Sequence, residues 1–134
     1  MRYMLDTDMA SYIIRSKSPI LEARLQTMLL SDVVLSAMTQ GELLYGIQRL
    51  PASHRLQVEV RKLFGILQVL PWPPEAAESY AEIRHQLVSE GQPIGEMDML
   101  IAAHAISAGV TLVTNNTRHY SRIKAPLQLE NWAV

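Results

Sequence analysis

The chain has no cysteine among its 134 residues, which excludes disulfide bridges, thiolate zinc sites and iron–sulfur clusters. It has no excess of charge either. Its 12 basic and 13 acidic side chains leave a formal net charge of −1, so it is not a global polycation of the kind that coats nucleic acid. Any contact with a polyanion must come from local basic patches. A long apolar run is also missing. Met1-Arg2-Tyr3-Met4-Leu5 meets a carboxylate at Asp6, and it reads as the first strand of a cytoplasmic protein, not as a signal peptide or membrane anchor. Repeats, low-complexity tracts and long linkers are absent. With 49% apolar residues, a chain of this length can bury one real core, and a single domain over residues 1–134 is expected.

What is present is a βα rhythm. Apolar runs of strand length at residues 2–5, 33–36, 68–70, 111–114 and 127–129 alternate with segments of helical period. Leu56, Val60, Leu63, Phe64 and Leu67 recur at helical spacing, as do Ala76, Tyr80, Ile83 and Leu87. Pro73 and Pro74 stand where a helix begins, Gly91 where it stops, and Gly109 where the next helix gives way to a strand. Such alternation predicts an α/β fold with a parallel sheet covered by helices on its faces.

Four acidic or amide residues fall where that fold exposes them. Ligands of an open parallel sheet bind beyond the carboxyl ends of its strands, and Asp6 and Asn116 both follow strand candidates immediately. Asp98 lies near the start of a helix expected over 97–108, where the helix dipole favours negative charge. Glu42 follows the second strand and shares that edge if the crossover is right-handed. Three carboxylates and an amide oxygen make an all-oxygen set suited to Mg²⁺ or Mn²⁺. Ions so held activate water and stabilise charge at a phosphodiester, and Arg15, Lys17, Arg118, Arg122 and Lys124 stand close in sequence to these acids as a candidate basic rim.

Each position also has a plainer reading. Thr7 or Asp8 can cap a helix beginning at about Met9, Glu42 can be a solvated face residue, and Asp98 can merely complement its helix dipole. His54, His85, His104 and His119 have no metal-ligand spacing. His104 shares a helical face with Met97, Leu100 and Ile101 and reads as a packed histidine. Ser11 and Ser36 lack the context of an activated nucleophile.

In the order and spacing of four segments the chain resembles the PIN-domain ribonucleases, and within them the VapC-type toxins of bacterial toxin–antitoxin pairs. The segments are Met4-Leu5-Asp6-Thr7, Glu42-Leu43-Leu44-Tyr45-Gly46, Asp98-Met99-Leu100-Ile101-Ala102-Ala103-His104-Ala105 and Val113-Thr114-Asn115-Asn116, followed by Tyr120 and Glu130-Asn131-Trp132. The resemblance implies a PIN-like parallel sheet of four to five strands sandwiched by helices. It implies an Mg²⁺- or Mn²⁺-dependent endoribonuclease that is a homodimer, acts on RNA and specifically tRNA, and is neutralised by a VapB-type antitoxin. Asp6 and Asp98 match the family's principal metal-binding aspartates, and Glu42 its acidic residue on the third helix. Asn116 stands where many PIN domains have a fourth acid, and Asp8 where the toxins more often have asparagine, so one firmly bound ion is expected in the free protein. Two rival readings are a haloacid dehalogenase-type phosphatase, with Asp6 as nucleophile and Asp8 as acid/base, and a catalytically inactive PIN-fold interaction module.

Overall fold

The computed structural model describes all 134 residues. Five strands, β1 (Tyr3–Leu5), β2 (Val33–Ser36), β3 (Gln68–Leu70), β4 (Thr111–Val113) and β5 (Leu129–Glu130), form one sheet. Its order is β3-β2-β1-β4-β5, and every neighbouring pair is parallel. The helices are α1 (Thr7–Ile14), α2 (Pro19–Gln26), α3 (Ala37–Ile47), α4 (Arg55–Ile66), α5 (Pro74–Ser89), α6 (Glu96–Ala108) and α7 (Thr117–Tyr120). The parallel, helix-covered sheet foreseen from the sequence is therefore the observed one.

Side chains along a strand alternate between the two faces of a sheet, and the core divides accordingly. Met4, Val34 and Leu112 join one buried cluster with Ile83 and Leu87 of α5 and Met99 and Ile101 of α6. Leu5, Val33, Leu35 and Val113 join a second with Met9 of α1, Leu43 of α3, Val60 and Leu63 of α4, and Trp132. Strands buried on both faces read as continuous apolar runs, which is why 33–36 stands out in the sequence.

Boundaries differ from expectation where local chemistry decides them. Helix α1 begins at Thr7, two residues earlier than expected, because Asp6 is its N-cap and accepts the Met9 N–H at 2.8 Å. The last strand is shifted to Leu129–Glu130 and pairs with Leu112 and Val113. Pro74 opens α5 with Pro73 at its N-cap, and Gly109 closes α6 in the left-handed region at φ 66°. No helix is long and apolar enough to cross a membrane.

The strand order also fixes where a ligand can sit. From β1 the chain runs outward through β2 to β3, then returns to place β4 on the other side of β1. The order reverses between β1 and β4, and the crevice at such a switch point is the binding position of open α/β sheets.

Candidate active site

At that crevice the register aligns Leu5 with Leu35 on one side and Val113 on the other. The next residues are Asp6, Ser36 and Thr114, and all three are buried. Asp6 is 4% exposed, and its carboxyl is pushed up to about 6. Loss of hydration dominates, the charges of Asp8 and Asp98 add to the rise, and hydrogen bonds from Thr114 and the Met9 amide oppose it. Asp98, in the first turn of α6, is half-buried and accepts the Tyr120 hydroxyl at 3.1 Å. Its pKa is also raised, by desolvation first and by Asp8, against a lowering influence of His119. The Tyr120 hydroxyl is buried against these acids and is held strongly in its protonated form. It is therefore a fixed donor to Asp98.

Asp6, Asp8 and Asp98, from α1 and α6, are thus within electrostatic reach of one another. Glu42 reaches the same edge from α3, where its carboxylate accepts the Thr7 hydroxyl at 2.5 Å; that hydroxyl also lies 3.2 Å from Thr39 Oγ1. Asn116 stands after β4, but its side chain turns to His119, with Nδ2 2.8 Å from the ring Nδ1, while its backbone N–H donates to Thr114 Oγ1 at 2.9 Å. The acids are thereby gathered, and Asn116 is engaged beside them.

None of the protein's ion pairs, Arg24–Glu130, Arg84–Glu96 and Lys124–Glu90, offsets these charges. No three carboxylate or histidine side chains stand close enough to one another to form a cation cage. An uncompensated set of carboxylate oxygens, partly withdrawn from water, fits a hard divalent cation and has no soft ligand to favour another metal. The basic rim is smaller than its sequence suggested. Lys124 is paired with Glu90 at 2.7 Å, and Arg122 donates to the Pro93 carbonyl at 3.2 Å. Arg118 has no ion pair, and Arg15 lines a groove of about 180 Å³ between α1, α3 and α4 that begins at Thr7, Asp8 and Glu42 and continues over Ile14, Leu43, Ile47, Leu56 and Val60.

Sequence reasoning weighed Thr7 only as a helix cap and His119 only as a metal ligand, and passed over Thr114; Thr7 donates to Glu42, Thr114 acts on Asp6, and His119 bears on Asp98 and Asn116. The available signal was adjacency: Thr7 lies next to Asp6, and Thr114 two positions before Asn116. The packed reading of His104 holds, since it is 1% exposed. Met97 lies on the same side of α6 but in its first turn, and is 36% exposed, while residues 101–105 are buried all round the helix.

The PIN domain family model matches residues 3–125. The chain is 33% identical over 132 residues to the tRNA(fMet)-specific endonuclease VapC of Salmonella typhimurium, covering 98% of both chains. It is 33% identical to the ribonuclease VapC2 of Haemophilus influenzae, again with 98% of each covered. Among solved structures it is similar to VapBC2 from Rickettsia felis bound to a DNA fragment from their promoter, with a TM-score of 0.88, 32% identity and coverage of 98% of this chain and 99% of that one.

Proposed function

The chain belongs to the PIN-domain family, among relatives named VapC ribonucleases, and on that premise we propose that it is a metal-dependent endoribonuclease toxin whose divalent ion is Mg²⁺ or Mn²⁺. The observation that carries the metal reading is that Asp6, Asp8 and Asp98 act on one another's charge at the β1/β4 switch point with no basic side chain paired to them. Asp6 and Asp98 are the residues that would hold the ion. When bound, such an ion supplies an activated water and stabilises charge on the phosphodiester oxygens. The chain's own groups do the positioning. The Met9 amide fixes one oxygen of Asp6, the Tyr120 hydroxyl fixes one of Asp98, and Thr7 holds Glu42 at the margin of the site. Asn116 adds a neutral amide at that margin, tied to His119.

RNA, and tRNA in particular, is the substrate this reading assigns, since the Salmonella relative is named for tRNA(fMet). Arg118 and Arg15, free of ion pairs on either side of the acids, would hold its phosphates. A VapB-type antitoxin is the assigned partner, because the similar Rickettsia structure is of VapBC2. The apolar groove of α1, α3 and α4 suits an amphipathic segment whose basic side chain reaches Asp8 and Glu42. A single domain, a homodimer and a cytoplasmic location complete the proposal.

The test is Asp98→Asn, which keeps shape and removes one charge. RNA cleavage should fall by two or more orders of magnitude while the folded spectrum is retained, and Mg²⁺ or Mn²⁺ affinity by calorimetry should drop. Equal metal affinity in the two proteins sinks the metal assignment. Wild-type protein that binds the ion yet cleaves no RNA would instead favour the inactive interaction module. Production of the wild-type chain alone should arrest growth, and Asp98→Asn should not; unaffected growth at confirmed soluble levels counts against the toxin reading.

A further inference from the structure

A buried hydrogen bond joins the helix that carries Asp98 to the helix that carries Glu42. His104, on α6, is 1% exposed, and Ser36, the last residue of β2, is fully buried. His104 Nδ1 and Ser36 Oγ are 2.7 Å apart. Ser36 is also the N-cap of α3, its Oγ accepting the Met38 N–H at 3.1 Å. A serine hydroxyl has one hydrogen and two lone pairs. With a lone pair taken by Met38, the arrangement that leaves neither the Ser36 hydrogen nor the Nδ1 lone pair unpaired has the Ser36 hydroxyl donating to Nδ1, and the ring carrying its proton on Nε2. Burial holds the His104 pKa below its ordinary value, which keeps the ring neutral and the Nδ1 lone pair available.

Packing alone gives no reason for a histidine at this place. Its neighbours Ala102, Ala103 and Ala105 are fully buried, and a polar ring among them incurs a desolvation cost that an aliphatic side chain avoids. A buried neutral hydrogen bond returns only about 1 kcal/mol net. What it adds is direction. Alanine surfaces tolerate small slips between helices, whereas a single donor–acceptor pair at 2.7 Å does not.

We propose that Ser36 and His104 form a positioning pair that fixes the first turn of α3 against α6. Ser36 precedes Glu42 by six positions and Asp98 precedes His104 by six, so the bond sets the acid of α3 relative to the acid of α6. The catalytic consequence rests on the nuclease reading; the restraint on α3 does not.

The experiment compares the full chain with His104→Leu, which conserves volume, and His104→Asn, whose side-chain oxygen replaces Nδ1 as acceptor. Amide hydrogen exchange over residues 38–42, thermal melting and single-turnover RNA cleavage are read together. His104→Leu should melt within a few degrees of wild type, yet exchange at 38–42 should speed by about tenfold and the cleavage rate constant should fall on the order of ten- to a hundredfold, with RNA affinity unchanged. His104→Asn should recover most of both. Wild-type exchange and cleavage in His104→Leu overturn the proposal. So does failure of His104→Asn to recover, with losses that merely track the melting temperature. If His104→Leu does not fold, nitrogen chemical shifts of the wild-type ring decide: a protonated Nε2 with an accepting Nδ1 is required, and a protonated Nδ1 overturns the arrangement. Should wild type cleave no RNA, the nuclease reading fails by itself, and the exchange of residues 38–42 still settles the restraint.

Discussion

Asp6 carries two roles that conflict at neutral pH. As the N-cap of α1 it stabilises the helix in either protonation state, but as a buried carboxylate it is driven up to about 6 from the ordinary 3.8 by lost hydration and by its acidic neighbours. Across that window the folded chain binds more protons than the unfolded chain, so metal-free stability should fall as pH rises from about 4 to about 6 and then level. Asp6→Asn preserves the cap and removes the charge. The metal-free variant is expected to be more stable than wild type at pH 7.5 by roughly 1–3 kcal/mol, the upper figure following from about 1.4 kcal/mol per pKa unit, and the difference should vanish near pH 4. Urea titrations at the two pH values measure this, and a pH-independent difference refutes it. Added Mg²⁺ should raise the wild-type melting point and leave that of Asp6→Asn nearly unchanged. Asn116 makes a weaker demand. Its amide is occupied by His119, so Asn116→Ala should reduce cleavage by less than Asp98→Asn does. Asn116→Asp should tighten metal binding at low ionic strength if its oxygen faces the ion; unchanged affinity places Asn116 in the loop leading to Arg118 and outside the ion's ligands.

At the scale of elements, the starts and stops of the helices follow side-chain chemistry that sequence displays. Ser18 caps α2, Ser36 caps α3, and Gly109 ends α6 with its N–H turned back to Ala105 and Ile106. Gly109 has φ 66°, and a β-carbon there would meet nothing within 4 Å, so the cost of replacement is purely that of the backbone angle. Gly109→Ala should destabilise by about 1–2 kcal/mol and Gly109→Asn by less, measured as the shift in denaturant midpoint. Equal cost for the two would mean that the left-handed angle is not what glycine supplies. The start of α1 was misread for a related reason. Asp6, Thr7 and Asp8 are all competent caps, and the one chosen is set by where β1 ends: the Asp6 N–H is taken by Val113 of β4 at 3.0 Å, so the chain leaves the sheet at Asp6.

For the whole molecule, the two apolar clusters share one sheet, Met4 and Leu112 facing α5 and α6 while Leu35 and Val113 face α1, α3 and α4. Neither layer of helices has a core without the strands. Leu112→Ala and Leu35→Ala, each removing a fully buried side chain, should therefore each cost about 2–5 kcal/mol and should lower one common transition seen alike by far-ultraviolet circular dichroism and tryptophan fluorescence. Two separated transitions in either variant would show that residues 1–134 do not unfold as a single domain. The same shared sheet places the candidate site, since Asp6 and Asp98 lie 92 positions apart and come within electrostatic reach because β4 returns to the side of β1.

The sequence alone determined the βα order, the bounds of β2 and β3, the proline start of α5 and the glycine end of α6, and the residue types at the sheet's carboxyl edge. These are local properties, written in the period of apolar residues, in proline and glycine at helix ends, and in carboxylates directly after strands. It also supplied Asp6, which directly follows an apolar run, and Glu42 and Asp98, which stand out only through the order and spacing of the four segments taken together. Tertiary structure decided what distance in the chain hides: that Thr7 holds Glu42, that Tyr120 donates to Asp98, that Asn116 is engaged by His119, and that Lys124 and Arg122 are spent on Glu90 and Pro93. Hydrogen bonds and desolvation depend on positions fixed to within a few tenths of an ångström, and those positions are set by packing across the whole sheet. The same holds for His104, which the sequence marks only as an interior histidine, and which acquires a partner solely because α6 crosses the end of β2 beside Ser36.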